Sequence, residues 1–263
     1  MPKVKDVVSV MEEIAPLDYV YTAGYDNVGL LVGDSTDEVS KVMCCLDVTQ
    51  RVLDEAIAQK ADMIVSHHPI IFTPVKSVAD NTVSGRKILK AIKNGIAVYS
   101  AHTNLDFVRD GINDRACRLL NLNNIKNMIT YGDGKGFGRI GELSDFMSAE
   151  SFRKKVSEAF DDKHVLLVDS GKPCKKIAVI NGGGGDEEAI DCALSLGADT
   201  LVTGDVKHHV AIYAMDAGIN LIEPQHYTSE HFYIKILVEK LKEKAQKLNL
   251  QIIQSSSECN PRK

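Results

Sequence analysis

The fold class of this chain follows from one stretch, Lys60-Ala-Asp-Met-Ile-Val-Ser66, which runs directly into His67-His68-Pro69. Its short apolar run is typical of a strand buried in a parallel sheet. Upstream, residues 51–59 carry apolar side chains at helical spacing, and Lys41-Val-Met-Cys-Cys-Leu46 is another short apolar run. Strand, helix and strand in this order predict a crossover connection, and therefore an α/β fold with mainly parallel sheets.

The order of segments in the first half occurs again in the second half. The matching pairs of segments are 41–46 with 176–180, 55–57 with 188–190, 60–66 with 197–203, and 95–99 with 218–222. Four matches at similar spacing indicate an internal duplication, although two α/β units could also share a generic pattern. We therefore expect two similar α/β domains, residues 1–126 and 127–263. The C-terminal helix either packs within the second domain or packs back on the first.

Three further helices follow from periodicity and capping. Residues 85–93 have Ile88, Leu89 and Ile92 on one face, residues 151–160 follow a plausible N-cap at Ser148, and residues 230–248 form the longest amphipathic run.

The two halves are joined by residues 121–141, which are rich in Asn and Gly. Gly134, Gly136 and Gly138 form a G-x-G-x-G stretch there. A dinucleotide-binding loop needs a strand before this motif and a helix after it, whereas residues 139–143 read as a strand. We expect a flexible turn instead.

Composition restricts the possible functions of the 263-residue chain. With 31 Lys plus Arg against 36 Asp plus Glu, the formal net charge of −5 argues against a protein that coats nucleic acid. No apolar run approaches the roughly 18 residues of a membrane helix, and residues 1–10 contain no secretory apolar region. The six cysteines form no C-x-x-C pair, which predicts reduced, mostly buried thiols in a cytoplasmic protein.

Histidines and carboxylates collect just after predicted strands. His67 and His68 follow one strand, the segment from His102 to Asp106 follows the next, and His226 and Glu230 follow a strand of the second half. Ligands of open parallel sheets bind beyond the carboxyl ends of the strands. These three clusters therefore predict a binding site.

The residue types favour a metal site, because imidazole and carboxylate together bind Zn, Fe(II) or Mn. The candidate ligands are His67, His68, Asp106, His226 and Glu230. Five ligands exceed the usual need of one catalytic ion and fit two ions that share a carboxylate. The spacing of four between His226 and Glu230 places both on one face of a helical turn.

The remaining histidines and one glycine run are weaker candidates. His208 and His209 fall within a predicted helix, so their side chains diverge, and His164 and His231 are expected to be structural or surface residues. Residues 182–185 are four glycines between a strand and a helix. They form either a flexible turn or a cradle of N–H groups for an anion.

Seven motifs occur in one order along nearly the whole chain. They are Tyr25-Asp-Asn-Val-Gly-Leu30, Leu46-Asp-Val-Thr49, Ser66-His-His-Pro69, His102-Thr-Asn-Leu-Asp106, Gly138-Arg-Ile-Gly141, Thr203-Gly-Asp205 and His226-Tyr-Thr-Ser-Glu230. Their combination resembles the Ngg-interacting-factor-three-like family, whose bacterial members are commonly labelled GTP cyclohydrolase I type 2 homologues. The resemblance implies two α/β domains, a pair of metal ions in the cleft between them, and the same five ligands chosen above.

The resemblance also implies a role for His102 and a state of assembly. His102 would lie near the ions, either supporting the ligands or transferring a proton. Members of the family often form hexameric rings, so we expect a homo-oligomer, with a hexameric ring as its specific form. Residues 121–141 leave no room for the middle domain that longer members insert.

Three positions depart from the family pattern. Tyr25 stands where Trp is usual, Asp205 replaces the more common Glu, and Gln225 replaces a Gly before the His-Tyr pair. A Gln at this position is bulkier and could alter the pocket or the backbone turn.

The resemblance implies a metal-dependent hydrolase that opens the imidazole ring of GTP, a small-molecule substrate, by C–N hydrolysis. The net charge and the lack of a long apolar run, in turn, predict no nucleic-acid or membrane partner. A phosphoesterase would use the same two-metal chemistry. An alternative of another class is a non-catalytic metal-binding protein that regulates or stores a metal. A third is an interaction scaffold, which leaves the ligand set unexplained.

Overall fold

The structure, a computed structural model, describes residues 1–20, 26–131 and 135–262. By internal contacts the chain divides into a first unit, Met1–Val108 with Tyr233–Cys259, and a second unit, Arg109–Phe232 with Asn260–Lys263. The first unit is therefore discontinuous in sequence. The domain boundary expected at residue 126 stays a prediction. Tyr25 and Gly134, which the sequence singled out, lie outside the described residues.

The first unit contains one five-stranded sheet and its helices, numbered here in chain order. Its elements are α1 (Val4–Ile14), β1 (Gly29–Val32), β2 (Lys41–Cys45), α2 (Gln50–Ala58), β3 (Met63–Ser66), α3 (Val83–Lys93), β4 (Ala97–Ser100), α4 (Thr103–Phe107) and β11 (Gln251–Gln254). The strand order is β1-β4-β3-β2-β11. All neighbours are parallel except β1, which pairs antiparallel with β4.

The second unit contains a six-stranded sheet with the order β5-β6-β8-β9-β10-β7. Its elements are α5 (Ile112–Leu119), β5 (Asn123–Thr130), β6 (Gly136–Met147), α6 (Ala149–Phe160), β7 (Leu166–Val168), β8 (Cys174–Ile180), α7 (Glu187–Ser195), β9 (Thr200–Thr203), α8 (His208–Ala217) and β10 (Asn220–Glu223). Helix α9 (His226–Lys244) begins in this unit, and its residues from Tyr233 onward belong to the first.

The mixed α/β fold is confirmed, and most predicted elements lie within a few residues of their expected positions. The expectation of mainly parallel sheets holds for the first sheet and is wrong for the second. There, β8, β9 and β10 run parallel, whereas β5, β6 and β7 join antiparallel. The parallel strands at the centre of each sheet were visible as apolar runs, and of the antiparallel strands only β6 was predicted, at residues 139–143.

Short polar side chains begin four of the helices. Oxygens of Thr49, Thr82, Ser148 and Asp186 accept the backbone N–H three residues later, at 2.8 to 3.2 Å, and start α2, α3, α6 and α7. Each bond satisfies an N–H that the helix itself leaves unpaired. The N-cap predicted at Ser148 is confirmed.

The flexible turn predicted around the G-x-G-x-G stretch is wrong for its described residues, because Gly136 and Gly138 lie in β6. A β-carbon on Gly136 would overlap the Asn127 side chain of the neighbouring strand. The carbonyls of Gly136 and Gly138 accept hydrogen bonds from Arg139. The buried Arg139 guanidinium also pairs with Asp114 at 2.7 Å. These glycines serve close packing rather than chain reversal.

Helix α9 begins four residues earlier than predicted, at His226, and a short 3₁₀ turn covers Gln246–Leu248. The reason for the early start is buried Asp162, which is distant in sequence. Its Oδ2 accepts the Gln225 N–H at 2.6 Å and the Thr228 hydroxyl at 2.7 Å. Asp162 therefore stabilises the backbone turn at Gln225, where the sequence departs from the family pattern.

Each unit has its own apolar core. Leu53 and Val98 are fully buried in the first, and Phe152 and Ile190 are fully buried in the second. Four of the six cysteines are buried, as the composition predicted. Among the described residues no helix combines the length and apolar character needed to span a membrane.

Candidate metal centre

In the first unit, two neighbouring parallel strands carry histidines to the same edge of the sheet. Ser66 at the end of β3 pairs in register with Ser100 at the end of β4. His67 and His68 follow directly, with their N–H groups bonded to the carbonyls of Cys45 and Leu46 at 3.1 and 2.9 Å. The strand-end prediction for these residues is confirmed.

Each histidine of this edge is oriented by an oxygen on its Nδ1 atom. His67 Nδ1 lies 2.8 Å from the Ala101 carbonyl, and His68 Nδ1 lies 2.8 Å from Asp47 Oδ1. His102 Nδ1 lies 2.6 Å from Asp26 Oδ1. These partners assign the proton to Nδ1 in each ring, so that Nε2 carries the lone pair that a metal ion binds.

Asp26 is the carboxylate behind His102, and its side chain is 4% exposed. Burial alone would raise the pKa of Asp26. Hydrogen bonding and charge from His102, together with bonds from Thr103 and Asn27, outweigh burial and lower the pKa to about 2. Asp26 is therefore ionised at neutral pH and can stabilise a positive charge on the His102 ring.

The three rings form one compact group. Their centroids are 5.0 to 5.7 Å apart, and one nitrogen of each of His67, His68 and His102 lies within 4.8 Å of the others. Several imidazoles at this separation suit a divalent transition metal. Asp106 lies half-buried on α4 and is not a member of this group, so its role as a ligand stays a prediction.

In the second unit, His226 and Glu230 meet on the first turn of α9. His226 Nε2 lies 3.0 Å from Glu230 Oε2, as their spacing of four predicted. On the other side of the ring, His226 Nδ1 lies 2.7 Å from Asp205 Oδ2. The pair thus presents one imidazole and one buried carboxylate.

The glycine run makes room for this pair. A β-carbon on Gly182 would lie 2.1 Å from Glu230 Oε1 and 3.3 Å from His226 Nε2. The Gly182 N–H donates to the Ser229 hydroxyl at 3.1 Å, and its φ of +68° suits glycine. Gly182 therefore serves the close approach of the α9 side chains, a role that neither sequence interpretation foresaw.

The position of Asp205 depends on an uncommon backbone conformation. Its φ is +53°, in the left-handed region that Asp and Asn enter more readily than other side chains. Its predecessor Gly204 donates its N–H to the Gly182 carbonyl at 2.9 Å.

The charge of Asp205 also affects the neighbouring Glu223. Burial raises the pKa of Glu223, and the negative charge of Asp205 raises it further, whereas the hydrogen bond from the Val206 N–H lowers it.

The other histidines do not join these groups in the described part of the chain. His208 and His209 are exposed at the start of α8, and His164 is exposed. The His231 ring is half-buried and stacks on Tyr227 with centroids 4.6 Å apart, and its assignment as a structural or surface residue stays a prediction.

Sequence reasoning missed the residues that orient the histidines. Asp26, Asp47 and Asp205 each belong to a quoted motif, yet none was given a role. Each is separated from its histidine by 21 to 76 residues, so spacing alone does not connect them. The available signal was the aspartate in each of three quoted motifs that contain no histidine, residues 25–30, 46–49 and 203–205.

Comparisons with known proteins agree along the whole chain. A family model described as Duf34/NIF3 (NGG1p interacting factor 3) matches residues 2–261. A protein of Clostridium acetobutylicum named "GTP cyclohydrolase 1 type 2 homolog" is 36% identical and covers 99% of this chain and 98% of its own length. A protein of the same name from Clostridium perfringens is 34% identical, with 92% of each covered. The crystal structure of a Bacillus cereus protein related to NIF3 has a TM-score of 0.89 at 26% identity, covering 99% of this chain and 98% of that one.

Proposed function

Because the chain belongs to the Duf34/NIF3 family, we propose that it binds two divalent metal ions and uses them to hydrolyse a nucleotide. The observation that carries the proposal is the group of His67, His68 and His102, in which every Nδ1 is held by an oxygen. Protein histidines that bind metals are oriented in this way. His226 and Glu230 supply a second, similarly supported pair.

We assign the ligands as the five residues that chemistry and resemblance select. They are His67, His68, Asp106, His226 and Glu230. When bound, the ions would polarise the scissile bond and lower the pKa of bound water. The protein's own contribution is orientation, because Asp47 and Asp205 fix the rings of His68 and His226 through Nδ1.

His102 is the proposed proton-transfer residue. Its Nδ1–H donates to Asp26, so its Nε2 can accept a proton from a nucleophile and return it to a leaving group. Asp26, ionised at neutral pH, would stabilise the imidazolium that forms. This carboxylate supports His102 as a proton-transfer group in addition to its position near the other two rings.

The proposed substrate is GTP, and the reaction is hydrolytic opening of the guanine imidazole ring. Two relatives carry the name "GTP cyclohydrolase 1 type 2 homolog", which supports this choice. Phosphoesters form the second substrate class to be screened, because two metal ions serve phosphoester hydrolysis equally well.

The test combines metal analysis with turnover. The purified protein, His67→Ala and the control His164→Ala are analysed for bound Zn, Mn and Fe, and then assayed on GTP and phosphoesters. We expect about two ions per chain and turnover that chelators abolish. Metal content and turnover should both be lost in His67→Ala and kept in His164→Ala. Bound metal without turnover would favour a non-catalytic metal-regulating protein, and absence of metal would contradict both.

We further propose that the two units arose by duplication. The parallel strands β2-β3-β4 and β8-β9-β10 have the same order, and an antiparallel strand flanks β4 and β10 alike. A homo-oligomer, with a hexamer as its specific form, is proposed from the family resemblance. Light scattering would then give about six times the 28.8 kDa chain mass.

A further inference from the structure

The C-terminal tail, residues 255–262, is fastened to the first unit by the Glu55 carboxylate. Glu55 accepts the hydroxyls of Ser255 and Ser256, both at 2.6 Å, and the N–H groups of Ser256 and Ser257 at 2.9 Å. This anchor on α2 holds the tail directly after β11. It also fixes where the next residue, Glu258, can reach.

Glu258 stabilises the turn that carries Asp47. Its Oε1 accepts the N–H of Leu46 and, at 3.2 Å, the N–H of Asp47. Asp47 in turn bonds His68 Nδ1 at 2.8 Å. A tail residue of the first unit therefore fixes the backbone of the aspartate that orients a proposed metal ligand.

The end of the tail makes the equivalent contacts within the second unit. Arg262 Nη1 lies 3.2 Å from Asp205 Oδ1, while Asp205 Oδ2 holds His226 Nδ1 at 2.7 Å. The Asn260 side chain donates to Gln225 Oε1, and Asn260 Oδ1 accepts the Arg262 N–H at 2.9 Å. These two partners of the tail in the second unit, Asp205 and Gln225, are positions where the chain departs from the family pattern.

We propose that residues 258–262 are a positioning element for the metal ligands: Glu258 fixes Asp47 and Arg262 fixes Asp205, and each aspartate fixes its histidine. The inference rests on the proposed metal binding and concerns how the ligands are held. Outer contacts of this kind typically change metal affinity by about 10- to 100-fold. Glu258 and Arg262 act one step further out, so we expect about 3- to 10-fold.

Orientation and charge repulsion predict opposite effects for Arg262. Its side chain is 67% exposed, so solvent and salt weaken the repulsion between the guanidinium and a cation. The contact with Oδ1, in contrast, limits rotation of the Asp205 carboxylate and keeps Oδ2 on His226. Orientation should dominate, and loss of Arg262 should weaken metal binding.

The experiment measures Zn²⁺ affinity by chelator competition and the visible spectrum of the Co²⁺-loaded protein. Arg262→Gln and Glu258→Ala are compared with wild type. Arg262→Lys and Glu258→Gln are the conservative variants, since lysine can still pair with Asp205 and glutamine can still accept both N–H groups. Arg153→Gln is the matched control, because Arg153 forms an exposed ion pair with Glu150 in the same unit as Arg262.

We expect Arg262→Gln and Glu258→Ala to bind Zn²⁺ about 3- to 10-fold more weakly and to shift the Co²⁺ spectrum. Their conservative variants should recover most of the affinity, and Arg153→Gln should match wild type. The loss in Glu258→Ala should persist at about 1 M salt, because Glu258 acts through hydrogen bonds to backbone N–H groups. The loss in Arg262→Gln should become smaller there, because salt also screens the exposed Arg262–Asp205 ion pair of the wild type.

Two results would overturn the inference while leaving metal binding intact. One is an Arg262→Gln protein that behaves like Arg153→Gln, and the other is tighter binding by Arg262→Gln, which would mean that repulsion dominates. If wild type bound neither Zn²⁺ nor Co²⁺, the proposed function would fail and this inference with it.

Discussion

At the scale of single residues, aspartates determine what the histidines can do. Asp47 and Asp26 hold the Nδ1 atoms of His68 and His102 at 2.8 and 2.6 Å. His68 is a proposed metal ligand and His102 a proposed proton-transfer group, so the two contacts should affect different steps. Substituting each aspartate by its amide separates these roles, because Asn keeps the shape and removes the charge.

Asp47→Asn should weaken metal binding by about 10- to 100-fold. Asp26→Asn should leave metal content largely unchanged and lower turnover by about 100-fold or more, because the His102 imidazolium loses its carboxylate. Metal titration and kinetics on fully loaded protein measure the two effects separately. Equal losses of metal affinity in both variants would show that His102 is itself a ligand.

A second residue-scale prediction concerns Gly182. Alanine there meets Glu230 Oε1 at 2.1 Å and carries a φ of +68°, whereas Gly171 has a φ of +78° and nothing within 4 Å of its β-carbon. Gly171→Ala should therefore cost only the backbone strain, about 1 to 2 kcal/mol. Gly182→Ala should cost more and also reduce metal binding, because Glu230 must move.

Urea unfolding and metal titration of both variants check this comparison. Equal loss of unfolding free energy, with metal binding unchanged in both, would mean that Glu230 can move without consequence. The predicted difference would then be wrong.

The sequence could predict the histidines but not the atoms that orient them. Imidazoles after apolar strands are visible because the strand periodicity and the ligand chemistry lie in adjacent residues, as in Val65-Ser66-His67. The bonds of Asp205 to His226 and Arg262 join residues 21 and 57 positions away. Such contacts depend on tertiary packing, which local patterns do not encode.

At the scale of elements, hydrophobic periodicity predicts the parallel strands at the centre of each sheet and, at residues 139–143, part of the antiparallel β6, but it misses β1, β5, β7 and β11. All four residues of β3 are buried, and its sequence is a clear apolar run. Strand β5 has the sequence Asn-Asn-Ile-Lys-Asn-Met-Ile-Thr and is largely exposed, so it resembles a polar linker. Pairing with β6 makes it a strand, and only the structure shows that pairing.

The attachment of the tail to α2 should depend on pH. Burial raises the pKa of Glu55, but hydrogen bonds from the hydroxyls of Ser255 and Ser256 and the N–H groups of Ser256 and Ser257 outweigh it and lower the pKa to about 2. Because the folded pKa lies below the ordinary 4.5, this stabilisation is complete above pH 4.5 and is lost as the pH falls towards about 2.

Hydrogen exchange of residues 251–262, measured against β3 as an internal reference, tests this dependence. Protection of the tail should decrease between about pH 4.5 and about pH 2 in wild type. In Glu55→Gln it should be lower at neutral pH and nearly independent of pH over that interval. Tail protection that is constant in wild type would show that Glu55 does not hold the tail.

At the scale of the whole molecule, the reactivity of the cysteine thiols tests whether the protein is folded as described. All six cysteines lie in the described residues, and Cys259 alone among them is exposed, while Cys192 is half-buried. Burial raises the pKa of Cys44 to about 12 and that of Cys117 to about 12, so their reactive thiolate forms are scarce.

Native protein should therefore show one rapidly reacting thiol with an aromatic disulfide reagent, and the other thiols should react slowly or only after unfolding. Cys259→Ser should remove the rapid phase and leave the slow phases unchanged. Several rapid thiols in the native protein would contradict the burial of Cys44, Cys45, Cys117 and Cys174.

The discontinuity of the first unit has a consequence for biosynthesis. Strand β11 pairs with β2, yet the ribosome makes it long after Val108, because Arg109–Phe232 of the second unit and helix α9 are translated in between. At about 5 to 20 residues per second, β2 remains an open sheet edge on the nascent chain for roughly 7 to 30 seconds. Chaperones that cover exposed strands should therefore raise the soluble yield of this protein when it is overexpressed. Slower translation should favour aggregation, because the edge of β2 then stays unpaired for longer.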